Sequence, residues 1–259
     1  MLDLLPYLMG GAVLVTGGAK RIGEKICIRL AKDGFQVGVH YNNSEIEAAE
    51  LVARINRLGG EADSFKCDFL QEDSVTNLVR DVKDRFGGII GLVNNASLFV
   101  HDDINTLDEK SWNSHLQINT KSPLFLIRSL FQEIDESELG SVVNILDQKI
   151  SSPNPDYLSY TISRFAMLGV TETMARGLAP RIRVNAVAPG HTMPSPEQTE
   201  HGFSVAQSQT PLGEGPNPED IANAVGFLMQ ARAVTGQVIY VDSGERFLGR
   251  SRDVFFETE

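Results

Sequence analysis

Residues 12–23, AVLVTGGAKRIG, constrain the fold of this chain more than any other stretch. A β-branched apolar run of strand length passes straight into a turn holding Gly17 and Gly18, and an amphipathic pattern of helix length follows at once. The two glycines permit a tight turn that lies close to a ligand, and Gly23 lets the new helix pack against the strand. The N-terminus of that helix then offers free N–H groups and a positive dipole end to a pyrophosphate. A lone glycine loop is weak evidence. A strand before it and a helix after it are the context that a dinucleotide-binding unit requires.

The same alternation runs along the chain. Strand candidates lie at 12–17, 36–41, 62–68, 89–96, 140–147, 182–190 and 237–244. Between them lie helix-length amphipathic segments at 21–34, 44–59, 72–86, 108–134, 157–178 and 217–231. This order predicts an α/β fold, a Rossmann-like doubly wound sheet of about seven parallel strands with helices on both faces. No linker divides the 259 residues, so one domain over 1–259 is expected. One segment breaks the rhythm: 190–218 is rich in Pro, Gly and polar residues and follows a strand's carboxyl end, where a long irregular insertion is often a substrate loop.

The formal charge of −11 argues against nucleic acid or an anionic membrane surface as partner and leaves a small molecule as the expected ligand. Cys27 and Cys67 fall in apolar runs and are expected as reduced core thiols, and no Cys/His cluster has metal-ligand spacing, so no metal is expected. The N-terminal stretch is apolar but carries Asp3 and Pro6 and lacks a basic leader, so it does not resemble a signal peptide. A cytoplasmic protein is expected.

The second strand ends in VHYNNS. Sites for NAD place a carboxylate here to hold the ribose hydroxyls. This chain offers His40, Tyr41, Asn42, Asn43 and Ser44, with Lys20 and Arg21 adding positive charge from the glycine loop. Amides, hydroxyls and cations suit a 2′-phosphate, so NADPH is the expected cofactor. Ser44 is also placed to cap the next helix. Asp68 ends the third strand, where it can accept from an adenine amino group, and NNAS (94–97) ends the fourth, where small residues let the backbone pass close to a cofactor.

TGGAKRIG, NNAS, Asn119 in LQINTKSP, YTISR (160–164), RIRVNAVAPG and VTGQVIYVDSG, in this order, resemble the short-chain dehydrogenase/reductase family over essentially the whole chain. Four details are most similar to the pteridine reductases and dihydromonapterin reductases: Arg21 where most members have a third glycine, the HYNNS strand end, Ser97 and Phe99 in NNASLF, and Asp147 where most members have the catalytic Ser. The resemblance implies a homotetramer. It implies catalytic roles for Asn119, Asp147, Tyr160 and Arg164. Around the cofactor it implies Gly17, Lys20, Arg21, Ile22 and Gly23, then His40 to Ser44, Asp68 and Phe69. Asn95, Ala96, Ser97, Tyr160, Arg164, Pro189 and Gly190 complete that set. Arg21, Ser97, Phe99, Asp147 and Tyr160 would meet the substrate.

The residues carry their own chemistry. Tyr160 and Arg164 stand four apart on one helix face. A neighbouring cation stabilises a phenolate, which makes the phenol a better proton exchanger. The family has Lys where this chain has Arg164; the charge is kept but the shape is not. Asp147 opposes that cation and favours a phenol that donates a proton, or it simply caps a turn. Phe99 can stack a flat heterocycle, or be ordinary packing. Asn119 resembles the residue that kinks its helix and holds a relay water. The leading expectation is an NADPH-dependent reductase of a C=N or C=O bond, with a dihydropterin or dihydrofolate as favoured substrate. Two alternatives stay open: a general carbonyl or alcohol oxidoreductase of the same family, and a catalytically impaired NADP-binding regulatory or structural protein.

Overall fold

Every residue of the first strand, β1 (Ala12–Val15), is buried, and alternate side chains enter opposite cores. Val13 and Val15 pack on one side of the sheet, Ala12 and Leu14 on the other. A strand apolar on both faces must be covered on both. The structure is a computed structural model that describes residues 11–195 and 198–258; Asp3 and Pro6, and so most of the apolar N-terminal run, lie outside the described residues.

β1 leads into α1 (Arg21–Lys32), and β2 (Gln36–Tyr41) into α2 (Glu45–Arg57). β3 (Glu61–Lys66) and α3 (Glu72–Phe86) follow, then β4 (Ile89–Asn94). Among the described residues the sheet has seven strands, in the order β3-β2-β1-β4 and then β5 (Gly140–Ile145), β6 (Ile182–Pro189) and β7 (Val238–Val241), all parallel. The order reverses between β1 and β4, which opens a crevice at the strands' carboxyl ends.

One face is covered by α1, α2 and α8 (Pro218–Gln230), through Ile26, Leu30, Leu51, Ile55, Ile221 and Leu228. The other is covered by α3, α5 (Ser122–Glu133) and α6 (Leu158–Gly177), through Leu78, Val82, Leu126, Leu130 and Met167. Cys27 and Cys67 are buried and in no disulfide. No helix among the described residues is long and apolar enough to cross a membrane.

Two segments depart from the expected outline. The helix expected over 108–134 is broken: α4 (Glu109–Leu116) passes through a π-helical turn (Gln117–Lys121) into α5. Such a turn inserts one residue into the helical ladder and re-aims the side chains on it. Within the irregular 190–218 segment lies α7 (Glu200–Ser208), capped by Thr199 Oγ1, which accepts from Gly202 N at 3.0 Å. A last short helix, α9 (Val254–Thr258), packs against α7.

Leu126 has no exposed surface and sits in the α5 layer beneath the sheet. Leu126→Ala should cost about 2–5 kcal/mol, measured as a lower urea midpoint at unchanged slope.

Candidate active site

A cavity of about 750 Å³ runs across the carboxyl ends of the strands, from Asn42 and Asp68 at one end to Gly190 and Glu245 at the other. The glycine loop forms its near wall. Gly17 has φ +60, and a side chain there would meet the backbone of Ala96 at 3.0 Å. A side chain at Gly23 would meet the Gly17 carbonyl at 2.1 Å, so only glycine lets α1 approach the loop. Thr16 and Asn95 tie this loop to the end of β4. Thr16 Oγ1 accepts from Asn95 N (2.9 Å) and Ala96 N (3.0 Å), while Asn95 Nδ2 donates to the Thr16 and Gly17 carbonyls.

His40 is part of the same scaffold. Its Nδ1 accepts from Gly17 N at 3.0 Å, its Nε2 faces the Cys67 carbonyl at 3.0 Å, and its ring lies parallel to Phe69 at 4.5 Å. The Gly17 bond requires a bare Nδ1, which leaves the proton on Nε2. Both nitrogens are thus engaged inside the protein, so His40, which also lines the cavity, holds the glycine loop.

Of the other residues expected around the cofactor, Lys20, Arg21, Ile22, Asn42, Asp68, Ala96, Ser97, Pro189 and Gly190 line the cavity. Tyr41 does not: it is buried in the α1/α2 core. Asn43 and Ser44 also lie off the cavity lining, and Ser44 occupies the N-cap of α2 without a side-chain cap bond. Lys20 is ion-paired with Glu47, and Arg21 Nη2 donates to the Pro194 carbonyl at 3.0 Å.

Deeper in, Tyr160 Oη donates to Asp147 Oδ2 at 2.7 Å. Asp147 Oδ1 accepts from Lys149 N at 2.8 Å, capping a 3-10 turn (Gln148–Ile150), so the capping role and the tyrosine contact coexist. Arg164 is buried, with Cζ 4.9 Å over the Tyr160 ring. Its Nη1 donates to the Ile145 carbonyl at 3.0 Å and its Nη2 to Ser97 Oγ, while Nε is buried without a partner. The cation thus stands against the Tyr160 ring, close enough to favour the phenolate. Burial raises the Tyr160 phenol, with Asp147 adding to the rise and Arg164 opposing it. Burial also raises Asp147, against the pull of Lys149 and its backbone N–H, Tyr160 and Arg164.

Phe99 is 41% exposed at the mouth; it stacks on Tyr157 at 4.1 Å and meets Tyr160 edge-on at 4.7 Å. Asn119 sits on the π turn. Its Oδ1 accepts from Leu98 N, and its Nδ2 donates to the Leu98 carbonyl and to Ser163 Oγ, so it fixes the Ser97–Phe99 segment against α6.

Several lining residues lay beyond the sequence reading: Lys149, Tyr157, Glu245 and the C-terminal Asp253, Val254 and Phe255. For Tyr157, the signal was a second aromatic three residues before Tyr160 at the start of one helix. The C-terminal residues carried none, because their place depends on Arg252 and Asp253 N reaching Asp156 and on Lys149 Nζ reaching Asp253. No cluster of three or more metal-ligating side chains occurs among the described residues.

The family described as enoyl-(acyl carrier protein) reductase matches residues 17–245. The chain belongs to the short-chain dehydrogenase/reductase family, and it is an oxidoreductase that uses a nicotinamide cofactor. The 3-oxoacyl-(acyl-carrier-protein) reductase FabG of Staphylococcus epidermidis is 31% identical over 91% of this chain and 99% of its own. The crystal structure of the FolM alternative dihydrofolate reductase 1 from Brucella canis, complexed with NADP, is 40% identical with a TM-score of 0.91, covering 96% of this chain and 98% of that one. The corresponding protein from Brucella suis, also in complex with NADP, is 41% identical with a TM-score of 0.88, over 92% of this chain and 95% of that one.

Burial holds the His40 imidazole down at about 4, against an ordinary 6.5. The unfolded chain takes up this proton below about 6.5 while the folded chain resists until about 4, so stability is lost as the pH falls through that window. The urea midpoint should fall between pH 6.5 and 4. His40→Asn, which has no titrating ring, should show a shallower fall; an equal slope would mean that this tether does not titrate.

Proposed function

We propose that this protein is an NADPH-dependent reductase that acts on a C=N or C=O bond of a dihydropterin or dihydrofolate. The observation that carries this reading is the buried Tyr160–Asp147 pair at 2.7 Å, roofed by the Phe99 ring at the mouth of the cavity. The name of the 40% identical Brucella protein, an alternative dihydrofolate reductase, supports the substrate class, and its NADP supports the cofactor.

The nicotinamide supplies hydride when bound. The chain's own residues do the rest. Tyr160, raised by burial, keeps its proton on Oη at neutral pH and donates it to the substrate. Asp147, whose Oδ2 accepts from Oη at 2.7 Å, orients the phenol and is placed to relay a proton back to it. Arg164 fixes the phenol ring through the stacking contact and its bonds to Ile145 and Ser97. Phe99 offers its exposed face to a flat ring. At the other end, Asn42 and Lys20 flank a β2 terminus without a carboxylate; Lys20 and Glu47 are both about half exposed, and a surface pair of that kind exchanges cheaply for a phosphate. The 190–218 segment acts as the substrate loop, with Arg21 pinning it at Pro194. A single domain over 1–259, a homotetramer and a cytoplasmic location belong to the same reading.

A second reading, an NADP-binding protein with impaired chemistry, draws on one observation: both Nη groups of Arg164 are spent inside the protein. NADPH oxidation measured on dihydropterins, dihydrofolate and a ketone panel separates the readings. Turnover of pterins or folates is expected. Tight NADPH binding without turnover on any of them would establish the second reading, and turnover of ketones alone would make the protein a general carbonyl reductase.

Tyr160→Phe should lower kcat by about 100-fold or more and leave the NADPH Kd within about threefold. Arg164→Lys should shift the pH–rate profile while leaving measurable rates on both its limbs. An inactive wild type that Lys restores would overturn the proposed activity.

A further inference from the structure

The wall of the cavity beyond β6 holds an acid that the proposed chemistry leaves unused. Glu245 opens the 3-10 turn that follows β7 (Glu245–Phe247), and its side chain is only 4% exposed. It folds back beneath the end of β6. There Oε2 accepts from His191 N at 2.8 Å, and a side chain on Gly190 would meet that same oxygen at 2.8 Å. The residue lines the cavity together with Asp147.

No ion pair among the described residues reaches Glu245. Asp147 and Asp253 face it and oppose its charge, and Arg250 favours it. Asp253 is already neutralised by Lys149 Nζ at 2.7 Å, and Arg250 is engaged with Glu257 and Gln209. Burial pushes the Glu245 carboxyl up to about 7. A buried carboxylate with one backbone hydrogen bond and no cation is an expensive arrangement. Its position on the wall of a ligand cavity means that a ligand can supply the missing donor.

We propose that Glu245 is a substrate-recognition residue, whose carboxylate accepts a hydrogen bond from an N–H group (a ring amide or an exocyclic amine) on a heterocycle lying between it and Asp147. This rests on the reading of the site as one for nitrogen-rich rings, and deepens it. Two acids that repel one another across one cavity select a ligand carrying donors on both sides. A ligand with no N–H leaves Glu245 with His191 N as its one donor and displaces the water that could serve it, and sites built in this way discriminate by the cost of that lost partner.

Glu245→Gln tests the idea with the volume unchanged. The amide oxygen still serves His191 N, but the group facing the ligand becomes an NH₂ donor. Two readouts are needed: KM and kcat on a dihydropterin and on a ketone without N–H groups, and equilibrium binding of an oxidised 2-amino-4-oxopteridine to the NADP⁺ complex. We expect KM for the pterin and Kd for the pteridine to rise about tenfold or more, equivalent to about 1.4 kcal/mol. We expect kcat within about threefold, and an unchanged KM for the ketone. The thermal midpoint and the NADPH Kd check that the fold is kept. Glu245→Asp, which retracts the charge, should give the same selective loss if the Gln variant does not fold.

Equal weakening toward both ligand classes would reduce Glu245 to a structural tie for His191 and overturn the proposal; unchanged pteridine binding would also overturn it. The binding arm needs no turnover. A wild type that binds the pteridine but reduces no pterin or folate would sink the proposed activity while leaving Glu245 to be judged by the Gln comparison. A wild type that binds no N–H heterocycle would sink the Glu245 proposal.

Discussion

A parallel sheet leaves the last peptide groups of its strands open along one edge, and everything in this protein that can bind or react depends on that edge. The strand order reverses between β1 and β4, so the connections leave in opposite directions and open a crevice there. Gly17, Gly23, Asn95 and Ala96 meet at that point because nothing larger than glycine fits between the loop and α1. Thr16, Asn95 and His40 then lock the loop with partly buried hydrogen bonds, in surroundings where an unpaired polar group would be costly.

The chemistry is placed by the same geometry further along the edge. Asp147 lies just past β5, and Tyr160 stands at the start of α6, which packs beside β6. Burial sets the character of the pair. Where a neighbouring cation alone would draw the phenol toward ionisation, desolvation and the adjacent carboxyl outweigh Arg164, which lies over the ring. A phenol that keeps its proton suits reduction, in which a proton is given to the product.

Much of this was legible in the chain. The seven strands and the glycine turn follow from short β-branched apolar runs and from small residues at strand ends, signals that are local. Tyr160 and Arg164 share a face by helical spacing alone. Other features were not legible. The break at Gln117–Lys121 lies in a segment whose pattern is helical on both sides, and it is stabilised by Asn119 bonding to Leu98 and Ser163. Tyr41 was read as a ligand contact because it ends a strand, yet strand parity turns it into the core. His40, its neighbour, faces the other way, toward the glycine loop and the cavity.

The sequence by itself determined the class of fold, the strand-turn-helix unit that can take a dinucleotide, and the identity of the Tyr160 helix, because each depends on residues close together in the chain. Only the tertiary structure decided which face of Tyr160 meets Arg164 and that Glu245 stands on the wall of the same cavity as Asp147. It alone brought Asp253 to Lys149 and Arg252 to Asp156, which closes the C-terminal residues over the cavity. Those contacts join segments about 100 residues apart, and no local period or propensity records a meeting that depends on the packing of the whole sheet.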